Sequence, residues 1–355
     1  MSTVLPGMLR FEEAYQPRPW GGQRLATALG KPAPADTPIG EAWLVSDHPS
    51  HVSRVAEGPW AGHTLHQILK AVPDALLGTL AKPTPHGRFP LLLKLLDAAE
   101  PLSVQVHPDD HHALRLGEPD VGKTEMWYVL DADPQSCLYC GLHADTTPEQ
   151  LTQSIHNSGL VEHLMSYPAN PGASVFVPAG TIHAIGAGIL IAEIQQNSDL
   201  TYRLYDWGRT DAQGRPRELH VEKSLAVTKF GQAPAVGTGL RYTAHGIEHT
   251  VLGACPYFAG EHLAISGGEV RRVTGGRSFH LLLGVHGTLH IGCDGETQTL
   301  QPGQALLIPG NTTEFTITGT GTLLDYYVPD LTHDIAAPLQ TAGHANNLIE
   351  RLLAR

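Results

Sequence analysis

The sequence predicts a mainly β protein of two β-barrel domains with a few short helices. Three observations carry this. Gly (38) and Pro (27) are abundant while charged residues make up only 16%, a mix that suits many short strands joined by tight turns. Hydrophobic residues reach 41% of a 355-residue chain, enough to bury sizeable cores and too many for a disordered chain. Finally, GASVFVP (172–178) and GQALLIP (303–309) repeat one pattern of Gly, five residues and Pro. In each copy the Gly makes a turn, the apolar stretch a buried strand, and the Pro ends it.

The elements follow in chain order. RPWGGQRLA (18–26) reads as a turn-rich segment, and IGEAWLVS (39–46) alternates like a strand. HTLHQILKAVPDALLGTL (63–80) has helical spacing interrupted by Pro73. FPLLLKLLDA (89–98) is a largely apolar run suited to a buried strand, and SVQVHP (103–108) alternates with period two. TEMWYVL (124–130) is rich in strand formers. SCLYCGL (136–142) also reads as a strand, so its Cys137/Cys140 pair, with no second CxxC beside it, is taken as structural. Thr147 can cap a helix, Pro148 fits the first helical position, and Gln150 completes a capping box. That helical stretch runs to about Met165 with a break near Gly159. ASVFVP (173–178) and GILIAEIQQ (188–196) return to strands, and HVEKSLAV (220–227) suits a short helix. GQAPAVGTGL (231–240) looks like a linker. Beyond it, FHLLLGVHGTLHI (279–291) and GETQTLQPGQALLIPGNTTEFTI (295–317) are strand-rich, and NNLIERLLAR (346–355) suits a last helix. The expected division is a catalytic, metal-binding domain over 1–235 with helical insertions, a second domain without metal over 241–330, and a tail over 331–355.

The formal net charge of −12 argues against a nucleic-acid or anionic-membrane surface. No run of 18 apolar residues is present to cross a bilayer. The start, MSTVLPGMLRFEEAYQ, lacks the basic and apolar regions of a secretory signal. With only four cysteines, a reducing cytoplasm is expected. An anionic small substrate would need a local cluster of Lys and Arg.

Chemistry concentrates in the first domain. Gln105 and His107 are two apart on one strand, so their side chains share a face. Glu125 begins the next strand and His183 follows the PAGTIH turn. One such residue alone is ordinarily structural. Two imidazoles, a carboxylate and an amide oxygen on one barrel face can hold a divalent ion with positions left open. The donor set favours Zn, with Fe, Mn or Co as alternatives. Glu314 stands in the second repeat where His183 stands in the first, so the metal is expected in the first domain only. Lys94 interrupts the apolar run PLLLKLLDA, and a buried lysine needs a partner or a function.

The pattern Gly-x5-Pro-x-Gly-x2-His resembles the second signature of the cupin (jelly-roll) barrel. LSVQVHPDD, GKTEMWYVL, VPAGTIHAI and AEIQQNSDLTYRLYDWGR resemble the signature segments of type I mannose-6-phosphate isomerases. Together with PWGGQRL, IGEAWLVS and RELHVEKSLAV, they are similar to the shorter bacterial branch of that family. The resemblance spans about 5–230; over 241–330 only the barrel pattern supports it. It implies a zinc-dependent aldose–ketose isomerase interconverting mannose 6-phosphate and fructose 6-phosphate through an enediol. One metal would be held by Gln105, His107, Glu125 and His183, and the family's catalytic arginine falls on Arg203. Lys94, Lys123 and Arg203 would hold the anionic substrate, Lys123 would orient a hydroxyl, and Glu193 or Asp199 would do acid–base work. Inserts near 108–122 and 209–217 would shape the rim. Two other readings use the same ligands: an Fe(II) cupin dioxygenase, which needs no cationic cluster, and a non-catalytic sugar-binding bicupin.

Overall fold

A computed structural model describes residues 7–34, 36–156, 159–210, 213–231 and 235–353. The chain is mainly β. A seven-stranded sheet runs in the order Ala14–Gly22, Ile39–Val45, Leu91–Ala98, Ile189–Gln196, Glu125–Ala132, Ser174–Val177, Ala235–Gly237. A five-stranded sheet runs Tyr202–Tyr205, Val104–Val106, His183–Ile185, Cys137–Leu142, Leu164–Pro168. Trp20, Leu96, Trp127, Val129 and Ile191 of the first sheet share one core with Leu138, Cys140 and Ile185 of the second. The two sheets therefore face each other. Val104, Val106, Ala184 and Leu204 pack on the opposite face against Leu151 and Ile155 of the helix Pro148–His156. This alternation turns Gln105 and His107 toward the facing sheet.

A third sheet takes in Leu240–Ala244, Ile247–Ala254, Ala259–Val273, Glu314–Tyr327, His280–Cys293 and Glu296–Leu300, with Ala305–Ile308 paired to His280–Cys293. Its long strands shift register between Ser266 and Glu269 and between Gly284 and His286, where bulges let them bend. They enclose an apolar core that includes Leu263, Leu282, Leu289, Phe315 and Ile317. Strand order is open in each sheet, so closed barrels are not formed among the described residues.

The repeat is real in three dimensions. Gly172 and Gly303 have φ of 87° and 76°, a left-handed turn that suits glycine. The four-residue strands Ser174–Val177 and Ala305–Ile308 follow them. Glu314 begins a strand opposite Val273 and pairs with Arg271 at 3.4 Å.

Two expectations are corrected. RPWGGQRLA is largely strand, Ala14–Gly22. A Cβ at Gly21 would lie 2.5 Å from the Gly40 nitrogen, and one at Gly22 2.6 Å from Asp97 Oδ1; these glycines serve close approach rather than a turn. Part of the expected linker, 232–234, lies outside the described residues, but Ala235–Gly237 is an edge strand and Leu240 opens the next. Contacts group the chain into two compact units. One compact unit comprises Tyr15–Ala42 and Lys94–Val236; the other comprises the chain up to Ala14, Trp43–Leu93 and everything from Gly237. Within the latter, Leu80 N donates to Arg277 O at 2.8 Å, and the Phe89 and Phe279 rings pack tilted at 47° with centroids 4.4 Å apart. The expected tail is part of this unit, with Ile335, Leu339, Ile349 and Leu352 packed on Val251 and Ala259. All four cysteines are free thiols, and among the described residues no helix is long and apolar enough to cross a membrane.

Candidate metal centre

Strand pairing assembles the site. His183 sits directly opposite Gln105, and Arg203 opposite Gln105 on its other side. Residues opposite each other share a face, so Arg203, Gln105 and His183 form a row. From the other sheet comes Glu125, flanked by Val177 and Gln195.

His107 Nδ1 lies 2.7 Å from the Leu200 carbonyl, and His183 Nδ1 lies 2.8 Å from that of Thr181. A ring whose Nδ1–H is fixed on a carbonyl presents Nε2 as a lone pair. Both Nε2 atoms face Glu125, at 3.4 Å from Oε2 and 3.3 Å from Oε1. Burial, with help from Lys123, lowers the His107 imidazole to about 3, so it is neutral at pH 7. Burial lowers His183 as well. Glu125 stays well below the ordinary carboxyl range, because Lys123 and the imidazoles outweigh its burial.

His107 Nε2 and both Glu125 oxygens are buried without an aligned hydrogen-bond partner. Buried acceptors in that state are costly. Converging, deprotonated N and O donors of this kind fit a divalent ion. Gln105 Nε2 is 3.3 Å from His183 Nε2. Turning the amide over exchanges its N and O and presents the oxygen as a fourth donor.

Two buried lysines stand beside the triad. Lys123 Nζ is 2.8 Å from Glu125 Oε2. Lys94 Nζ is 3.9 Å from both Glu41 Oε2 and Asp199 Oδ1. Glu193 lies opposite Trp127 and accepts its indole N–H at 3.1 Å. Burial and the nearby Glu125 push the Glu193 carboxyl up to about 7, against the pull of Lys123 and Lys94. Asp199 is half exposed, and its backbone N–H donates to Asp120. Arg203 lies on the strand Tyr202–Tyr205. Its Nη1 donates to the Glu218 carbonyl at 3.0 Å, while its Nε is buried without a partner. Burial and Arg217 lower its guanidinium.

Sequence reading missed Glu41. It holds Arg18 through two bonds of 2.9 and 3.1 Å and stands beside Lys94. Its signal was the one that singled out Lys94, a charge inside an apolar strand. The expected rim insert at 108–122 contains the helix Asp110–Arg115, and Asp110 accepts from Gly122 N and Gln196 Nε2. In the other insert, Arg209 and Arg217 both hold Asp206, and 211–212 lie outside the described residues.

Fold and donor set together are those of a cupin with a buried His–Glu–His triad that could hold a metal ion. Known proteins narrow the class. The profile for the catalytic domain of type I phosphomannose isomerase matches residues 8–133, and that for the cupin domain of mannose-6-phosphate isomerase matches 248–328. Mannose-6-phosphate isomerase of Streptococcus mutans is 40% identical over 82% of this chain and 88% of its own length. The Bacillus subtilis enzyme ManA is 36% identical over 88% of this chain and 96% of its own. A crystal structure of mannose 6-phosphate isomerase from Bacillus subtilis superposes with a TM-score of 0.82 at 32% identity, covering 90% of this chain and 99% of the other. The chain belongs to the type I phosphomannose isomerases.

Proposed function

We propose that this chain is a zinc-dependent isomerase interconverting mannose 6-phosphate and fructose 6-phosphate through an enediol, with one metal ion held by Gln105, His107, Glu125 and His183. Family membership supports the isomerase activity. The observation that carries the metal is the convergence of buried donors, His107 Nε2 and His183 Nε2 on the Glu125 oxygens, with His107 Nε2 and both oxygens lacking an aligned hydrogen bond. When bound, a divalent ion there supplies a Lewis acid for sugar oxygens and steadies negative charge.

The other residues divide the remaining work. The reaction moves a proton between C2 and C1 of the sugar. Glu193, raised to about 7, is poised to take and return a proton near neutral pH. Asp199 is the alternative base. Lys123 orients a hydroxyl, and with Lys94 it gives an acidic protein a local cationic patch for a hexose phosphate. Arg203 keeps its charge at any working pH and offers forked donors to an enediolate or phosphate oxygen. The test is a coupled assay with mannose 6-phosphate on metal-analysed protein. Formation of fructose 6-phosphate supports the reading; iron-dependent oxygen uptake without isomerisation would replace it with the dioxygenase.

A further inference from the structure

The unit formed largely by the chain from Gly237 holds a cavity of about 670 Å³, within the size class of small-molecule sites. Its wall includes His249 and His280, only 2% and 4% exposed. Each imidazole is fixed through Nδ1 on a fully buried carboxylate: His249 on Glu261 at 2.6 Å, and His280 on Asp325 at 2.7 Å. Arg272 joins the carboxylates, at 2.9 Å from Asp325 Oδ2 and 3.2 Å from Glu261 Oε1. Tyr242 lies flat on the His249 ring at 4.4 Å and Tyr327 on the His280 ring at 4.8 Å; both phenols donate to Glu261.

This network does more than a core requires. Apolar residues of similar volume commonly stabilise as well as a buried ion cluster does. Here two carboxylates orient two imidazoles, the arrangement sites use to fix a ring's direction. With Nδ1–H committed, Nε2 is the atom each ring offers, and among the described residues neither Nε2 has a hydrogen-bond partner. No third His, Cys, Asp or Glu joins them at ligand spacing among the described residues, so the pair does not make a metal cage. The occupant is instead a polar organic molecule. Imidazole edges suit hydroxyls, and Tyr rings suit the C–H face of a sugar. The lining also carries Arg271, paired with Glu314 at 3.4 Å, and Arg277, paired with the lining residue Asp334 at 2.7 Å.

We propose that this cavity binds a monosaccharide, its hydroxyls on Nε2 of His249 and His280, and its phosphate, where it has one, beside Arg271 and Arg277. Its lining shares no residue with the His107–Glu125–His183 triad.

Calorimetric titration of the metal-loaded full chain tests this. The titrant is a pre-equilibrated mixture of mannose 6-phosphate and fructose 6-phosphate, so turnover adds no heat. Two sites per chain are expected. Thr341→Trp fills the cavity from its exposed lining without touching the buried network and should leave one site with kcat unchanged. The double variant His249→Asn/His280→Asn keeps a donor near each Nδ1, removes Nε2, and should do the same. If it fails to fold, Thr341→Trp alone decides. Free mannose should compete for the second site only weakly but measurably. A single site in the wild type, two sites in Thr341→Trp, or inorganic phosphate binding the second site as tightly as the sugar phosphates would each overturn the proposal. Isomerase activity, measured separately, stands or falls independently.

Discussion

Gln105 and His183 stand directly opposite each other on adjacent antiparallel strands, with their side-chain nitrogens 3.3 Å apart. Strand register alone therefore brings together two donors 78 residues apart in sequence. Glu125 reaches the same point from the facing sheet, and Arg203 extends the row by one strand.

Glu193→Gln should lower kcat by about 10²–10⁴ with metal content unchanged, because it removes the proton carrier and keeps the Trp127 contact. The pH dependence of stability should change too. The folded carboxyl titrates near 7 against an ordinary 4.5, so the folded state binds this proton more tightly. That contribution is full below about 4.5 and is lost as pH rises toward 7. Glu193→Gln should flatten the melting temperature across that window. An unchanged kcat would move the role to Asp199.

Arg203→Lys keeps the charge and loses the fork. If Arg203 steadies the enediolate, kcat should fall about 10²–10³-fold with KM nearly constant. If it holds phosphate, KM should rise more than kcat falls. Near-normal values for both, in a folded and metal-loaded variant, would leave Arg203 only its bond to Glu218.

The buried ion cluster of the second unit should make that unit acid-sensitive. Arg272 and the imidazoles hold Glu261 and Asp325 below the ordinary carboxyl range despite burial. Depressed carboxyls contribute stability above their unfolded values, and the contribution is lost as pH falls through the folded ones. Melting temperature should therefore drop steeply below about pH 4, where unfolded carboxyls begin to protonate. Asp325→Asn should cost about 3–5 kcal/mol at pH 7 and weaken the acid transition, as read by urea unfolding at each pH. Equal stability of variant and parent would contradict this.

Much of the site was legible because its signals are local. Period-two spacing puts Gln105 and His107 on one face, and a Gly–strand–Pro turn sets His183. Lys94 advertised itself as a charge in an apolar run; Glu41 sent the same signal and was passed over. What escaped depends on distant partners. Gly21 and Gly22 look like a turn until Gly40 and Asp97 are seen to press on them. Nothing local says that Phe89 packs against Phe279, so the placing of 43–93 with the later chain could not be read. Nor does anything local show that Arg217 and Asp206 stand around Arg203.

The central claim is that one metal ion at His107, Glu125 and His183, with Gln105, is needed for isomerisation. The direct measurement takes metal content and mannose 6-phosphate isomerisation from the same samples: the parent, the chelated parent, the chelated parent after zinc is restored, and His183→Ala. The account predicts one zinc per active chain, parallel loss of metal and activity on chelation and in His183→Ala, and recovery of both only in the restored parent. Full isomerase activity in a metal-free chain, or His183→Ala with stoichiometric metal and unchanged activity, would contradict it.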